Sequence, residues 1–237
     1  MAKWTPWYLK QPLLRLLLRS LAVAWLIWAG LSACSNDENS SVGDNDEAGA
    51  SVAANQVTIV ALGDSLTAGL GLDETEAYPA VLERRLRADG YAVQVINAGI
   101  SGETSSGAVS RLDWVVSALE PDLVILETGA NDGLRGIDPK ILSDNLDHLI
   151  TTLKAAEIKV ILAGMQMLPN LGPAYTRQFN AVFARMANAH DVPLIPFFLE
   201  GVAGDRRYNQ KDMLHPNAEG YKRIVEHIYP WVTAALE

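Results

Sequence analysis

Ser65, Asp212 and His215 are the residues in this chain whose types and spacing suit nucleophilic chemistry. A serine hydroxyl is a poor nucleophile unless a base takes its proton. Asp212-Met-Leu-His215-Pro216-Asn217 offers such a base. An Asp and a His three apart can meet across one turn, where the carboxylate fixes the imidazole tautomer and leaves the other ring nitrogen free to accept a proton. Gly63-Asp64-Ser65-Leu66 directly follows the apolar run Val57–Leu62. A strand, a glycine turn and a serine at a helix start would hold the hydroxyl clear of a sheet, with the helix's first N–H groups aimed the same way. Each segment alone has a plainer reading. Ser65 could be a helix N-cap, and Asp212 and His215 a loop acid and a surface imidazole.

Two further segments supply what acyl transfer needs at the developing oxyanion, namely fixed hydrogen-bond donors. Asn97-Ala-Gly-Ile-Ser-Gly102-Glu103-Thr104 and Gly129-Ala-Asn131-Asp132-Gly133 both follow apolar runs. A glycine lets backbone approach a ligand closely, and an asparagine carries a side-chain N–H₂. Each alone would more often be a turn. His148, His190 and His227 read as structural or surface residues, and none has metal-ligand spacing, so neither metal nor cofactor is expected. Trp114 and Trp231 read as core or partly buried helix residues.

The elements that must position these groups alternate. Apolar runs at 57–62, 91–96, 123–126, 159–163 and 193–196 read as strands. Stretches with helical spacing at 80–88, 106–119, 139–156, 173–189 and 217–236 separate or follow them. Five strands alternating with helices argue for a three-layer α/β/α domain, a five-stranded parallel sheet covered on both faces. In such sheets, sites form beyond the carboxyl ends of the strands.

Taken in order, the four segments resemble the SGNH or GDSL hydrolases, within their bacterial thioesterase I, arylesterase and lysophospholipase branch. The run Glu127-Thr-Gly-Ala-Asn-Asp-Gly-Leu-Arg-Gly136 looks like that branch's third block, and Leu168-Pro169-Asn170 with Tyr175 and Asn180 like its substrate-side loop and following helix. The resemblance spans 57–237. It implies a flavodoxin-like fold and an esterase acting through an acyl-enzyme on Ser65. His215 would be the base, Asp212 its partner, and the Ser65 N–H, Gly102 and Asn131 the oxyanion donors. The substrates implied are aryl esters, short to medium acyl esters, acyl thioesters and lysophospholipids. Apolar Leu134, Ile137, Leu168 and Pro169 suit the walls of an acyl pocket. There is no G-x-S-x-G elbow, which points away from the α/β-hydrolase fold. Two alternatives remain open: a non-catalytic lipid- or glycan-binding protein, and a carbohydrate O-deacetylase with the same machinery but a polar groove.

The amino end reads differently. Lys3, Lys10, Arg15 and Arg19 precede the first acidic residue, Asp37, and the apolar run Leu21–Ala33 is 13 residues long. At about 1.5 Å per residue that falls short of about 30 Å of hydrocarbon, which fits a signal peptide over 1–33. Leu31-Ser32-Ala33-Cys34 resembles a bacterial lipobox and implies a lipid on Cys34, the chain's one cysteine. The segment 35–56 is a polar, acidic linker, and 57–237 is one domain. Cleavage before Cys34 leaves 15 basic against 28 acidic residues, a net of −13. That argues against nucleic acid and against a basic membrane patch. The expected location is the cell envelope, facing the periplasm on a lipid anchor, and Ser35 after the cysteine points towards the outer membrane.

Overall fold

The computed structural model describes residues 56–167 and 169–237. The expected signal peptide, Cys34 and almost all of the linker lie outside the described residues.

The five strands β1 (Val57–Gly63), β2 (Val93–Gly99), β3 (Leu123–Glu127), β4 (Lys159–Ala163) and β5 (Leu194–Ile195) form one sheet in the order β2-β1-β3-β4-β5. All neighbouring pairs are parallel, as the alternation predicts. Among the described residues seven α-helices accompany them: α1 (Ser65–Ala68), α2 (Tyr78–Ala88), α3 (Ser105–Leu119), α4 (Ala130–Leu134), α5 (Pro139–Ala155), α6 (Pro173–His190) and α7 (Ala218–Leu236). α2 packs against α7, while α3 and α6 both pack against α5. The sheet is therefore buried on both faces, and β3 reads Leu-Val-Ile-Leu-Glu with every residue buried.

The helices form for local reasons. α5 starts on Pro139, with the Asp138 carboxylate accepting from the Lys140 N–H at 2.9 Å. It buries Leu142, Leu146, Leu149, Ile150 and Leu153, one stripe at helical spacing. Each such leucine stabilises the fold by roughly 1.5–3 kcal/mol relative to exposure. α7 is capped by Asn217, whose side chain accepts from the Gly220 N–H at 2.9 Å.

The structure departs from the sequence reading in three ways. β2 starts and ends later than 91–96, because Asn97, Ala98 and Gly99 stay in register with Ala61, Leu62 and Gly63. Their turn-like composition yields to the ladder. α1 and α4 are too short to show a period, and the sequence reading gave neither bounds. Trp114 is 59% exposed rather than buried, since α3 buries Ala108, Leu112 and Val115 and turns residue 114 to the other side. Trp231 packs partly buried against the core, as expected.

The end of β2 lies against α1. A Cβ on Gly99 would stand 2.2 Å from the Ala68 nitrogen and 2.7 Å from its Cα. Backbone on both sides leaves no room to adjust. Gly99→Ala is therefore expected to destabilise the fold by about 1–3 kcal/mol, the usual cost of overpacking, read as a lower urea midpoint at unchanged m-value. An unchanged midpoint would show that α1 yields freely.

Candidate active site

Ser65 is the first residue of α1, immediately beyond β1. Asp64, not Ser65, caps this helix: its Oδ1 accepts from the Leu66 N–H at 3.0 Å. The cap role weighed for Ser65 is thus taken by its neighbour, and the Ser65 hydroxyl is left for another partner. That partner is His215 Nε2, at 2.9 Å.

His215 sits in the loop before α7. Asp212 Oδ2 lies 2.7 Å from His215 Nδ1, and Asp212 Oδ1 accepts from the N–H groups of Leu214 and His215 at 2.9 and 3.0 Å. The tight turn puts Met213 at φ +61°, a left-handed conformation that non-glycine residues seldom adopt. The His215 side-chain bond, followed by the two backbone bonds, lowers Asp212 to about 2, so it is a carboxylate at neutral pH. An ionised carboxylate only accepts, so Nδ1 carries the imidazole proton and Nε2 is left to accept from Ser65. Gln210 pins the loop: its N–H donates to the His215 carbonyl at 2.8 Å and its Nε2 to the Leu70 carbonyl at 2.7 Å.

Gly102 and Asn131 both line the same cleft as Ser65 and His215. Gly102 lies at φ +80° in the loop after β2. Among the described residues, neither its N–H nor that of Ser65 has an acceptor. Asn131 stands in the first turn of α4. Its Nδ2 donates to Asp64 Oδ2 at 3.1 Å and to the Glu103 carbonyl at 3.0 Å. Two N–H groups thus stand open at this point of the cleft, whereas both hydrogens of the Asn131 amide are engaged, so Asn131 can donate to a ligand only by releasing one of its two acceptors.

A polar floor lies beneath Ser65. Glu127 ends β3 fully buried, and its Oε2 accepts from the Thr67 hydroxyl at 2.8 Å. Burial, then the neighbouring Asp64, pushes Glu127 well above the ordinary carboxyl range. Burial raises Asp64 to about 6, against the lowering effect of the Leu66 N–H, Asn131 and His215. Glu127 Oε1 and the hydroxyls of Tyr78, Tyr221 and Thr128 are buried and have no hydrogen-bond partner among the described residues.

The cleft holds about 690 Å³ and is mostly apolar, with Leu70, Leu134, Met165, Met167, Phe197 and Leu214 among its walls. Of the four pocket residues expected from sequence, Leu134 lines it. Ile137 does not; its carbonyl accepts the Tyr175 hydroxyl at 2.8 Å outside the cleft wall. Leu168 and the side chain of Pro169 lie outside the described residues. Asn180 holds the adjacent Met167 N–H at 2.9 Å. The sequence reading missed Asp64, Met165, Met167, Phe197, Leu199, Met213 and Leu214. Their signal was positional: most follow β4, β5 or the Asp212 turn at the sheet's carboxyl edge. His190 pairs with Asp147, and His227 Nε2 meets the Phe197 carbonyl at 3.0 Å. Among the described residues no group of three or more His, Cys, Asp or Glu could hold a metal ion.

Comparisons with known proteins give a consistent picture. Residues 61–223 match the GDSL-like lipase/acylhydrolase family. The chain is 41% identical over 179 residues to esterase TesA of Pseudomonas aeruginosa, covering 76% of this chain and 89% of that protein. It is 34% identical over 180 residues to thioesterase 1/protease 1/lysophospholipase L1 of Escherichia coli K12, covering 76% and 83%. The crystal structure of the psychrotrophic esterase EstA from Pseudoalteromonas sp., inhibited by monoethylphosphonate, superposes with a TM-score of 0.72 at 37% identity, covering 76% of this chain and 98% of that one.

Within the site, Asp64 and Asp212 are shifted in opposite directions and oppose each other in their effect on stability. Asp64 is raised above its ordinary 3.8, so its stabilising contribution is complete below that value and is lost as pH rises through about 6. Asp212 is lowered, so its contribution holds above 3.8 and is lost as pH falls towards about 2. Asp64→Asn removes the first dependence. The stability of this variant minus that of wild type should climb between about pH 4 and 6.5 and then level off, measured by urea unfolding. A pH-independent difference would mean that Asp64 ionises without regard to folding.

Proposed function

The chain belongs to the GDSL-like lipase/acylhydrolase family and is a serine ester hydrolase, and from that premise we propose that Ser65, His215 and Asp212 are its catalytic triad. The observation that carries this reading is the unbroken relay Asp212–His215–Ser65, at 2.7 and 2.9 Å, opening into an apolar cleft. His215 Nε2 takes the Ser65 proton as Oγ attacks the ester carbonyl carbon. The imidazolium that forms is stabilised by the Asp212 carboxylate. The carbonyl oxygen becomes an oxyanion held by the N–H groups of Ser65 and Gly102 and by Asn131 Nδ2, which turns one hydrogen from Asp64 Oδ2 to the oxyanion and keeps its bond to the Glu103 carbonyl. The imidazolium gives its proton to the leaving alcohol, the acyl group stays on Ser65 as an ester, and water repeats the sequence to release the acid.

The mostly apolar walls suit an acyl chain, and three methionines among them, Met165, Met167 and Met213, suit chains of differing shape. Aryl esters, short to medium acyl esters and lysophospholipids fit this cleft; acyl thioesters fit the same chemistry. The likeness to esterase TesA and to thioesterase 1/protease 1/lysophospholipase L1 supports this range. A periplasm-facing domain tethered through lipidated Cys34 would meet lysophospholipids and external esters rather than cytoplasmic acyl thioesters.

Ser65→Ala is expected to lower kcat on 4-nitrophenyl esters by about 10⁴-fold or more in folded protein, because the triad acts as a unit; near-normal turnover would remove Ser65 from the reaction. Asn131→Ala should cost about 10²–10³ in kcat, and an unchanged rate would take Asn131 out of the oxyanion hole. Rates on esters, thioesters and lysophospholipids of graded chain length rank the substrates. For the anchor, Cys34→Ser expressed in a bacterium should lose the acyl mass and leave the membrane fraction. Equal membrane retention and mass change in both forms would rule out lipidation at Cys34.

A further inference from the structure

Arg111 and Glu103 take no part in the chemistry just described, yet they form an ion pair at the edge of the cleft with both side chains largely buried, 15% and 7% exposed. Removing two charges from water is expensive, and such a pair seldom adds net stability over apolar residues of equal volume. What it does supply is geometry. Arg111 Nε donates to Glu103 Oε1 at 2.8 Å and Nη2 to Oε2 at 2.7 Å, a two-pronged contact that a lysine cannot reproduce. The same Nη2 reaches the Ala98 carbonyl at 2.7 Å and, at 3.3 Å, that of Gly63. Glu103 is thereby tied to the ends of β2 and β1.

The backbone of Glu103 touches the candidate oxyanion site on two sides. It directly follows Gly102, and its N–H donates to the Ile100 carbonyl at 3.1 Å, closing the turn that holds Gly102 at φ +80°. Its carbonyl accepts from Asn131 Nδ2 at 3.0 Å. The glycine at 107 makes room for this arrangement, since a Cβ there would stand 2.6 Å from Glu103 Cγ.

We propose that the Arg111–Glu103 pair is a clamp that sets the positions of two oxyanion donors, the Gly102 N–H and Asn131 Nδ2. This rests on the esterase reading given above. The two residues are positioning residues: they act through Gly102 and Asn131 and touch no reacting atom. A misplacement of about 1 Å at such a donor costs on the order of 10²-fold in rate. Because the bound ester has no oxyanion and the charge develops only as Ser65 attacks, the loss falls on kcat and spares KM.

The test uses the full-length chain. The double variant Arg111→Met with Glu103→Leu replaces the pair by apolar side chains. Arg111→Lys keeps the charge but loses the fork, and Glu103→Gln serves as a milder second probe should the double variant fail to fold. Active sites are counted by the end-point of fluorophosphonate labelling, so that kcat is expressed per reactive Ser65. In folded protein we expect kcat per site to fall about 10–10²-fold in the double variant and less in the others, with KM changed by less than about threefold. Affinity for a boronic-acid transition-state analogue should fall in step with kcat/KM. A purely structural pair would instead lower the unfolding midpoint or the number of labelled sites and leave kcat per site unchanged. That result, or a loss confined to KM, would overturn the clamp. Failure of the wild-type protein to label at Ser65 would overturn the triad reading itself, and the clamp with it.

Discussion

The hydrogen bond between Ser65 and His215 joins residues 150 apart in sequence, and every other feature of the site presupposes it. One partner leaves the first strand and the other enters the last helix. They meet only because β1 lies inside the sheet, between β2 and β3, while the loop ahead of α7 returns to the same carboxyl edge. The Asp212 turn and the Gln210 bonds then fix the imidazole in one plane. A loop free to wander would spend that entropy at each turnover.

Around that bond the site is divided by polarity. Its walls are rich in leucine, methionine and phenylalanine, while Asp64 lines it beside the serine and Glu127 lies buried behind, reached by the Asp64 N–H and the Thr67 hydroxyl. Two carboxyl groups in such burial cannot both ionise cheaply. Both are pushed up, by burial first. A protonated Glu127 is the form this environment favours, and as a neutral group it can sit beside Asp64 without like-charge repulsion. The unpartnered Glu127 Oε1 and the Tyr78 and Tyr221 hydroxyls belong to this same buried region. Its polarity carries a cost, and the bonds to Thr67 and Asn131 offset part of it by holding α1 and α4 in place.

Much of this was legible in the sequence because it is local or periodic. The five strands are short apolar runs, and the longer helices repeat a single buried stripe, as α5 does with Leu142, Leu146 and Leu149. Asp212 and His215 were legible as a pair because three residues of one turn bring them together. Leu134 was legible as a wall because it follows a strand in a glycine-rich loop. Ile137, three residues on, has the same apolar character but does not line the cleft, and its carbonyl accepts the Tyr175 hydroxyl.

By itself, then, the sequence determined the parallel α/β architecture, the family likeness and which residue types are available for acid–base and nucleophilic chemistry. Those follow from periodicity and residue chemistry, which act over a few residues. Tertiary structure alone decided that Asp64 rather than Ser65 caps α1, that Asn131 is oriented by Asp64 and Glu103, and that Met165, Met167 and Phe197 wall the cleft. These depend on distances between chain segments tens of residues apart, set by how the sheet stacks its carboxyl ends, and no local pattern encodes such distances.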